Sequence, residues 1–259
     1  LVGSEMCIRD RLGASCLAFS SLSAPAVALP ATLKPEPHQR DPYDWNARHE
    51  AVKRRNREVK PEYVMIGDSI THHWGGEPSG DSGKRGEDSW KKLFGPHRAT
   101  NMGFGFDYVD NAYYRVQNGE LDGISPRVVI VLLGTNNLGH RRDTPQACAD
   151  NMAAFIRLVR RKCPSSRVLL LGILPRKEKD LEQPIIQTNK LLAKLHDGKA
   201  VFFANPGKAL LSEDGASPRQ DFMRDTVHPN GKGYEVLGRE LGILLKRMDS
   251  AYRGGQDSR

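Results

Sequence analysis

The chain has 259 residues, 38% of them hydrophobic and 27% charged, with a mean hydropathy of −0.55. That length suits one α/β domain with a sizeable core, and no apolar run approaches the roughly 20 residues that a membrane span needs. The net charge of +8 draws attention to anionic partners, but the runs VKRRNREVK, RLVRRK and RKEK carry neither zinc-ligand spacing nor interleaved aromatics; they read as solvated helix faces and loops, so no nucleic-acid partner is expected.

In chain order, residues 1–11, LVGSEMCIRDR, fit no structural pattern and are expected to be a sequencing artefact. Residues 12–28 are small and apolar and end in Ala26, Val27 and Ala28. They read as a truncated export signal, which predicts a secreted or periplasmic protein without stable membrane insertion. Residues 29–43 carry Pro30, Pro35, Pro37 and Pro42 and read as an extended linker. The folded domain is expected over 44–250, with a polar tail at 251–259.

Asp44 is placed to cap a helix over Trp45–Val59. Strand-like apolar runs follow at 63–66, 99–102, 128–133, 168–171 and 201–204. Between and after them lie helical patterns at 89–94, 108–117, 145–162, 184–195 and 231–248. Short apolar strands alternating with amphipathic helices predict a five-stranded parallel sheet with helices on both faces, a three-layer α/β/α sandwich. Cys148 and Cys163 flank one of these helices, about 22 Å apart at helical rise, and are expected to be free thiols.

In such a sheet the active site forms at the carboxyl ends of the strands. Three motifs sit there: GDS at 67–69, NMGFGFD at 101–107 and GTNN at 134–137. Ser69, at a strand-to-helix turn, has the setting of a nucleophile. Gly103 lacks a Cβ, and Asn136 carries an amide donor. With the Ser69 N–H they are expected to form an oxyanion hole. His72 and His73 share a helix face with Ser69 but have no obvious orienting carboxylate. Asp225 and His228, three apart in RDTVHPNGKGY, supply a base and its orienting group.

The blocks GDSI, NMGFG, GTNN and DTVH, in that order, resemble the four signature blocks of the GDSL, or SGNH, hydrolases. VQNGELDGISPRVVIVLLGTNN and LLLGILPR are similar to the platelet-activating-factor acetylhydrolase branch of that family. The resemblance implies a flavodoxin-like fold, Ser69 as nucleophile, Gly103 and Asn136 as oxyanion donors and His228 as base oriented by Asp225. It departs at Asn137, where many relatives carry Asp, a change expected to touch loop packing. The implied activity is hydrolysis of short-chain, acetyl-type esters through an acyl-enzyme. The substrate is a small acyl ester or an acetylated glycan, with lipid acetylhydrolase, thioesterase or arylesterase activity as alternatives. Both monomers and homodimers occur among such proteins. An exported glycan- or lipid-binding protein is the competing reading of another class.

Asp68, His72, His73, Trp74 and Asn137 are expected to line the substrate site, with Trp74 equally suited to the core. No metal is expected, because adjacent helical histidines point about 100° apart. No cofactor is expected either. GEPSGDSGKRGED misses the phosphate-loop pattern at Pro78 and Arg85, and GFG at 103–105 lacks the dinucleotide fingerprint.

Overall fold

A computed structural model of the chain describes residues 28–38, 42–79, 83–215 and 217–254. The expected artefact at 1–11 and all but the last residue of the expected signal lie outside these, as do residues 255–259 of the tail. Five strands, β1 (Tyr63–Gly67), β2 (Ala99–Gly103), β3 (Val128–Leu132), β4 (Arg167–Leu171) and β5 (Val201–Ala204), form one sheet in the order β2-β1-β3-β4-β5. Every pairing is parallel.

The central strands YVMIG and VVIVL are buried at every residue, as a parallel sheet covered on both faces requires. Alternation then divides the side chains between two cores. Val64 and Ile66 join Val52, Val109, Met152, Phe155 and Leu192 on one side. Tyr63 and Met65 join Phe94, Leu237 and Leu241 on the other. Helices α1 (Trp45–Val59), α4 (Val109–Arg115), α6 (Pro145–Lys162) and α7 (Glu182–Ala193) cover the first face, and α3 (Glu87–Phe94) and α8 (Gly231–Gly254) the second. Two short helices, α2 (Ser69–His72) and α5 (Thr135–Gly139), follow β1 and β3 directly.

Local signals set most boundaries. Asp44 Oδ1 accepts from Ala47 N at 2.8 Å, so α1 starts where the sequence predicts. Thr144 caps α6 with Pro145 in its first turn. Three elements differ from expectation. Helix α7 begins at Glu182, ahead of Pro184, because a proline in the first turn removes no helical hydrogen bond. Helix α4 ends at Arg115, and the chain widens through Val116–Glu120 with Gly119 at φ +105°. There the Glu120 carbonyl turns inward to accept from Asn56 Nδ2 at 2.8 Å. Helix α8 continues through 251–254, four residues into the expected tail.

The described part of the proline-rich stretch is no free spacer. Leu33 is buried in the first core. Thr32 Oγ1 donates to Asn151 Oδ1, Lys34 N to Asp110 Oδ1, and Asn111 Nδ2 to the Glu36 carbonyl, at 2.8, 2.8 and 2.9 Å. Residues 29–38 are therefore a strap along the domain. Cys148 and Cys163 are buried free thiols. Among the described residues, no helix is long and apolar enough to cross a membrane.

Candidate active site

Strand β1 turns into α2 at Gly67, where a Cβ would lie 2.0 Å from Thr71 Oγ1 and 2.8 Å from the Leu132 carbonyl. Only glycine lets the chain turn so tightly there. Asp68 caps α2 by accepting from Ile70 N at 2.9 Å, and Ser69 is the first helical residue. Its N–H is one of the first-turn donors that a helix leaves without an internal partner.

The loop before α8 brings the other two groups to Ser69. Asp225 Oδ1 accepts from Val227 N at 2.9 Å and His228 N at 2.7 Å, which folds the chain back so that residues three apart meet. His228 Nδ1 lies 3.0 and 2.9 Å from the two Asp225 oxygens, and its Nε2 lies 2.8 Å from Ser69 Oγ. Burial pulls the Asp225 pKa upward, but these N–H groups and the His228 ring outweigh it and hold the carboxyl at about 2. An ionised carboxylate only accepts, so Nδ1 carries the imidazole proton and Nε2 is left to accept from the serine hydroxyl. Burial, aided by Arg85 and Arg176, outweighs Asp225 and holds the His228 pKa below its ordinary value. The ring is neutral at pH 7.

The turn after β2 differs from expectation. Gly103 N donates to Asn101 Oδ1 at 2.8 Å, so that N–H is already used. A Cβ on Gly103 would lie 2.2 Å from His72 N, and this close approach to α2 is what requires glycine there. In the same turn, Phe104 N donates to the Gly67 carbonyl, Gly105 N to His72 Nδ1, and Asp107 N to the Phe104 carbonyl. Phe106 N is the donor left over, on a residue held at φ +62°. A non-glycine residue costs about 1 kcal/mol or more in that conformation. Asn136 is buried and gives one amide hydrogen to the Asp107 carbonyl at 3.0 Å, which leaves its second. The sequence pointed to Gly103 because it has no side chain; the hydrogen-bond partners of the N–H groups in this turn are not written in the motif.

The turn rests on buried charge. Asp107 accepts from Trp45 Nε1 and Arg115 Nε, each at 2.8 Å. Arg115 also donates to Glu120 at 2.5 Å, and Glu120 meets His49 Nδ1 at 2.8 Å. Asp107, Arg115 and Glu120 are wholly buried, and the Arg115 guanidinium lies 3.8 Å from the centre of the Phe104 ring. Arg48 Nε holds the Gly103 carbonyl at 2.7 Å. Loop backbone at the end of the sheet is thus fixed from behind.

Of the five expected lining residues, four are sealed in. Trp74 is 1% exposed, packs on Tyr234 and donates to Ser89 Oγ at 3.2 Å, so it belongs to the second core. Asn137 accepts from Val109 N at 3.1 Å and donates to Asp143 at 2.9 Å, bracing two loops. Asp68 is buried, and the loss of water pushes its pKa up to about 7. His72, driven down to about 2 mainly by burial, lies behind the turn as the acceptor for Gly105 N. His73 alone is partly exposed, with its ring 5.4 Å from that of His228.

Arg176 and Arg85 carried no role in the sequence reading. Arg176 donates to the Thr135 carbonyl at 3.2 Å and to Glu178 at 2.6 Å, which steadies the turn that carries Asn136. Arg85 N donates to the His73 carbonyl at 2.7 Å, fixing that arginine near the site. Among the described residues, no group of three or more His, Cys, Asp or Glu side chains is arranged to hold a metal ion.

A family model described as GDSL-like lipase/acylhydrolase matches residues 65–236. The chain belongs to this family. It is an ester hydrolase by that membership, and the fold agrees. Over 210 residues it is 32% identical to the human platelet-activating factor acetylhydrolase IB subunit alpha1, covering 79% of this chain and 84% of the relative. A GDSL-like lipase from Bacteroides thetaiotaomicron superposes with a TM-score of 0.61 at 17% identity, over 77% of this chain and 99% of the other. A carbohydrate acetylesterase from Sinorhizobium meliloti superposes at 0.55 and 17% identity, over 72% and 98%. At these identities the two structures speak for the GDSL acylhydrolase fold alone.

Proposed function

We propose that this acylhydrolase cleaves short-chain, acetyl-type esters through an acyl-enzyme on Ser69. The observation that carries the reading is the 2.8 Å contact of Ser69 Oγ with His228 Nε2, backed by Asp225 on the other ring nitrogen. His228 takes the hydroxyl proton as Ser69 Oγ bonds to the ester carbonyl carbon. The resulting oxyanion accepts from the Ser69 N–H, the second amide hydrogen of Asn136 and the Phe106 N–H. Collapse breaks the bond to the alkoxy oxygen, which leaves as the alcohol with the proton from His228. Water, deprotonated by the same imidazole, then releases the acid and restores Ser69. Asp225 keeps the ring in the required tautomer and stabilises its charged form.

The acetyl preference draws support from the acetylhydrolase name of the human relative. For the alcohol side we favour an acetylated carbohydrate over a glycerolipid. Initial rates on p-nitrophenyl acetate, butyrate, octanoate and palmitate, beside acetate release from acetylated xylan, test both parts in wild type and Ser69→Ala. Serine-dependent turnover that falls with chain length, with acetate released from xylan, is the expected result. Ester hydrolysis that survives in Ser69→Ala removes the acyl-enzyme.

A further inference from the structure

Phe106 occupies a position that a phenylalanine has two physical reasons to avoid. Its φ of +62° crowds the Cβ against the backbone, and the residue is 44% exposed. Among the described residues, four large apolar side chains are exposed, and Phe106 is the only aromatic one. Glycine would relieve both penalties, so the ring is explained by what it faces.

Two polar-tipped rings lie beside it and a third lies beside one of these, brought from separate parts of the chain. His38, at the end of the N-terminal strap, lies nearly parallel to it, with centroids 6.4 Å apart at 18°. His140, just past α5, lies 6.2 Å away. Tyr108 stands 6.2 Å from His38, with the Arg141 guanidinium 4.9 Å from the centre of its ring. Arg141 is itself tied to Asp110 at 2.9 Å and Asp143 at 2.7 Å. The rim is therefore a supported surface, and it adjoins the turn whose spare N–H is an oxyanion donor of the mechanism proposed above.

The geometry points to a sugar platform: Phe106 stacks on a pyranose ring of the ester's alcohol side while Tyr108 and His140 meet its hydroxyls. The face of a pyranose presents C–H groups of slight positive charge, which suit the negative face of an aromatic ring. Its edge presents hydroxyls, which need partners once water is displaced. An alkyl chain could use the Phe106 ring, but it would strip water from the polar tips of Tyr108 and His140 and return nothing. This inference rests on the Ser69 reading above and names the leaving group for it.

The test compares kcat/KM for acetylated xylotriose with that for p-nitrophenyl acetate in wild type, Phe106→Tyr and Phe106→Leu. Leucine keeps an L side chain on the same left-handed backbone, so the N–H donor bears the same strain while the ring is lost. The ratio of the two substrates is expected to fall by about two- to tenfold in Phe106→Leu and to hold in Phe106→Tyr, the size of a ring contact. Calorimetry of deacetylated xylotriose on Ser69→Ala should show the same loss of affinity when Phe106→Leu is added. An unchanged ratio overturns the platform, as does a loss confined to p-nitrophenyl octanoate, which would put the ring on the acyl side. Turnover that does not depend on Ser69 would overturn the acyl-enzyme alone, with the calorimetric arm still deciding the platform.

Discussion

The ring of His73 stands edge-on to that of His228, with centroids 5.4 Å apart and planes at 73°. Two imidazoles are thus within reach of the same reaction, but only His228 has a carboxylate behind it. Burial, together with Arg85 and the neighbouring His228, holds His73 down at about 4, so it stays neutral at pH 7. His228→Ala should lower kcat by at least about a thousandfold. His73→Ala, which removes only a wall of the site, should cost less than about tenfold. Steady-state kinetics on p-nitrophenyl acetate decide this, and the opposite ranking would transfer the base role to His73.

The acid limb of kcat/KM should have its midpoint below 6.5, the ordinary imidazole value. Burial lowers the His228 pKa, with Arg85 and Arg176 acting in the same direction and Asp225 opposing them. The active form is the neutral ring, so activity is lost as pH falls through that lowered value. Arg85→Gln removes one of the charges that disfavour the imidazolium and should move the limb to higher pH. A limb that stays put, or moves down, contradicts the electrostatic account.

Asn136 and Gly103 should separate cleanly on substitution. Asn136→Ala removes a donor to the oxyanion and should lower kcat by about 10² to 10³, with only a modest drop in melting temperature from the donor that the Asp107 carbonyl loses. Gly103→Ala drives a Cβ to 2.2 Å from His72 N and 2.6 Å from the Thr71 carbonyl carbon, and backbone cannot step aside cheaply. Its damage should appear as a lower melting temperature and poor yield. If Gly103→Ala keeps its stability and loses only kcat, the oxyanion role returns to Gly103.

Asp68→Asn should stabilise the fold increasingly as pH rises. The folded-state pKa of about 7 lies above the ordinary 3.8, so native protein holds a proton that unfolded chain has lost. Wild-type stability therefore falls between roughly pH 4 and 7 through this group and levels off above it. Asparagine keeps the acceptor that caps α2 and never ionises. Urea unfolding at pH 4.5 and pH 8 should show the gap over wild type widening by on the order of 1 kcal/mol or more. Asp107, also raised, faces Asp68, and its charge adds to the upward shift, so the widening gap includes relief of that repulsion. A pH-independent gap would mean that Asp68 titrates near its ordinary value.

Much of this was legible in the residues. The runs VVIVL and YVMIG read as buried parallel strands because both faces of the sheet are covered, and Asp44 and Thr144 mark their helices because capping is a local interaction. Ser69, Asp225 and His228 were readable as types with a chemical use; their meeting is a tertiary fact. Gly103 reads two ways in the sequence, because glycine serves close packing as readily as substrate approach. Trp74, Asn137 and His72 sit beside the motif in sequence but turn inward, and a helix of four residues has no period from which to tell its faces. The strap hid behind its prolines, whose extended backbone is compatible with a tether and with a docked segment alike.

Behind the Phe106 turn, one buried guanidinium stands between two buried carboxylates. Removing Arg115 alone would strand two anions away from water, and removing either anion would leave the cation half paired. The effects of changes at Asp107, Arg115 and Glu120 therefore cannot be summed. Anyone reshaping this enzyme's specificity by stepwise mutation would find the front of the turn open to revision and its rear closed, unless all three positions are varied together as one unit.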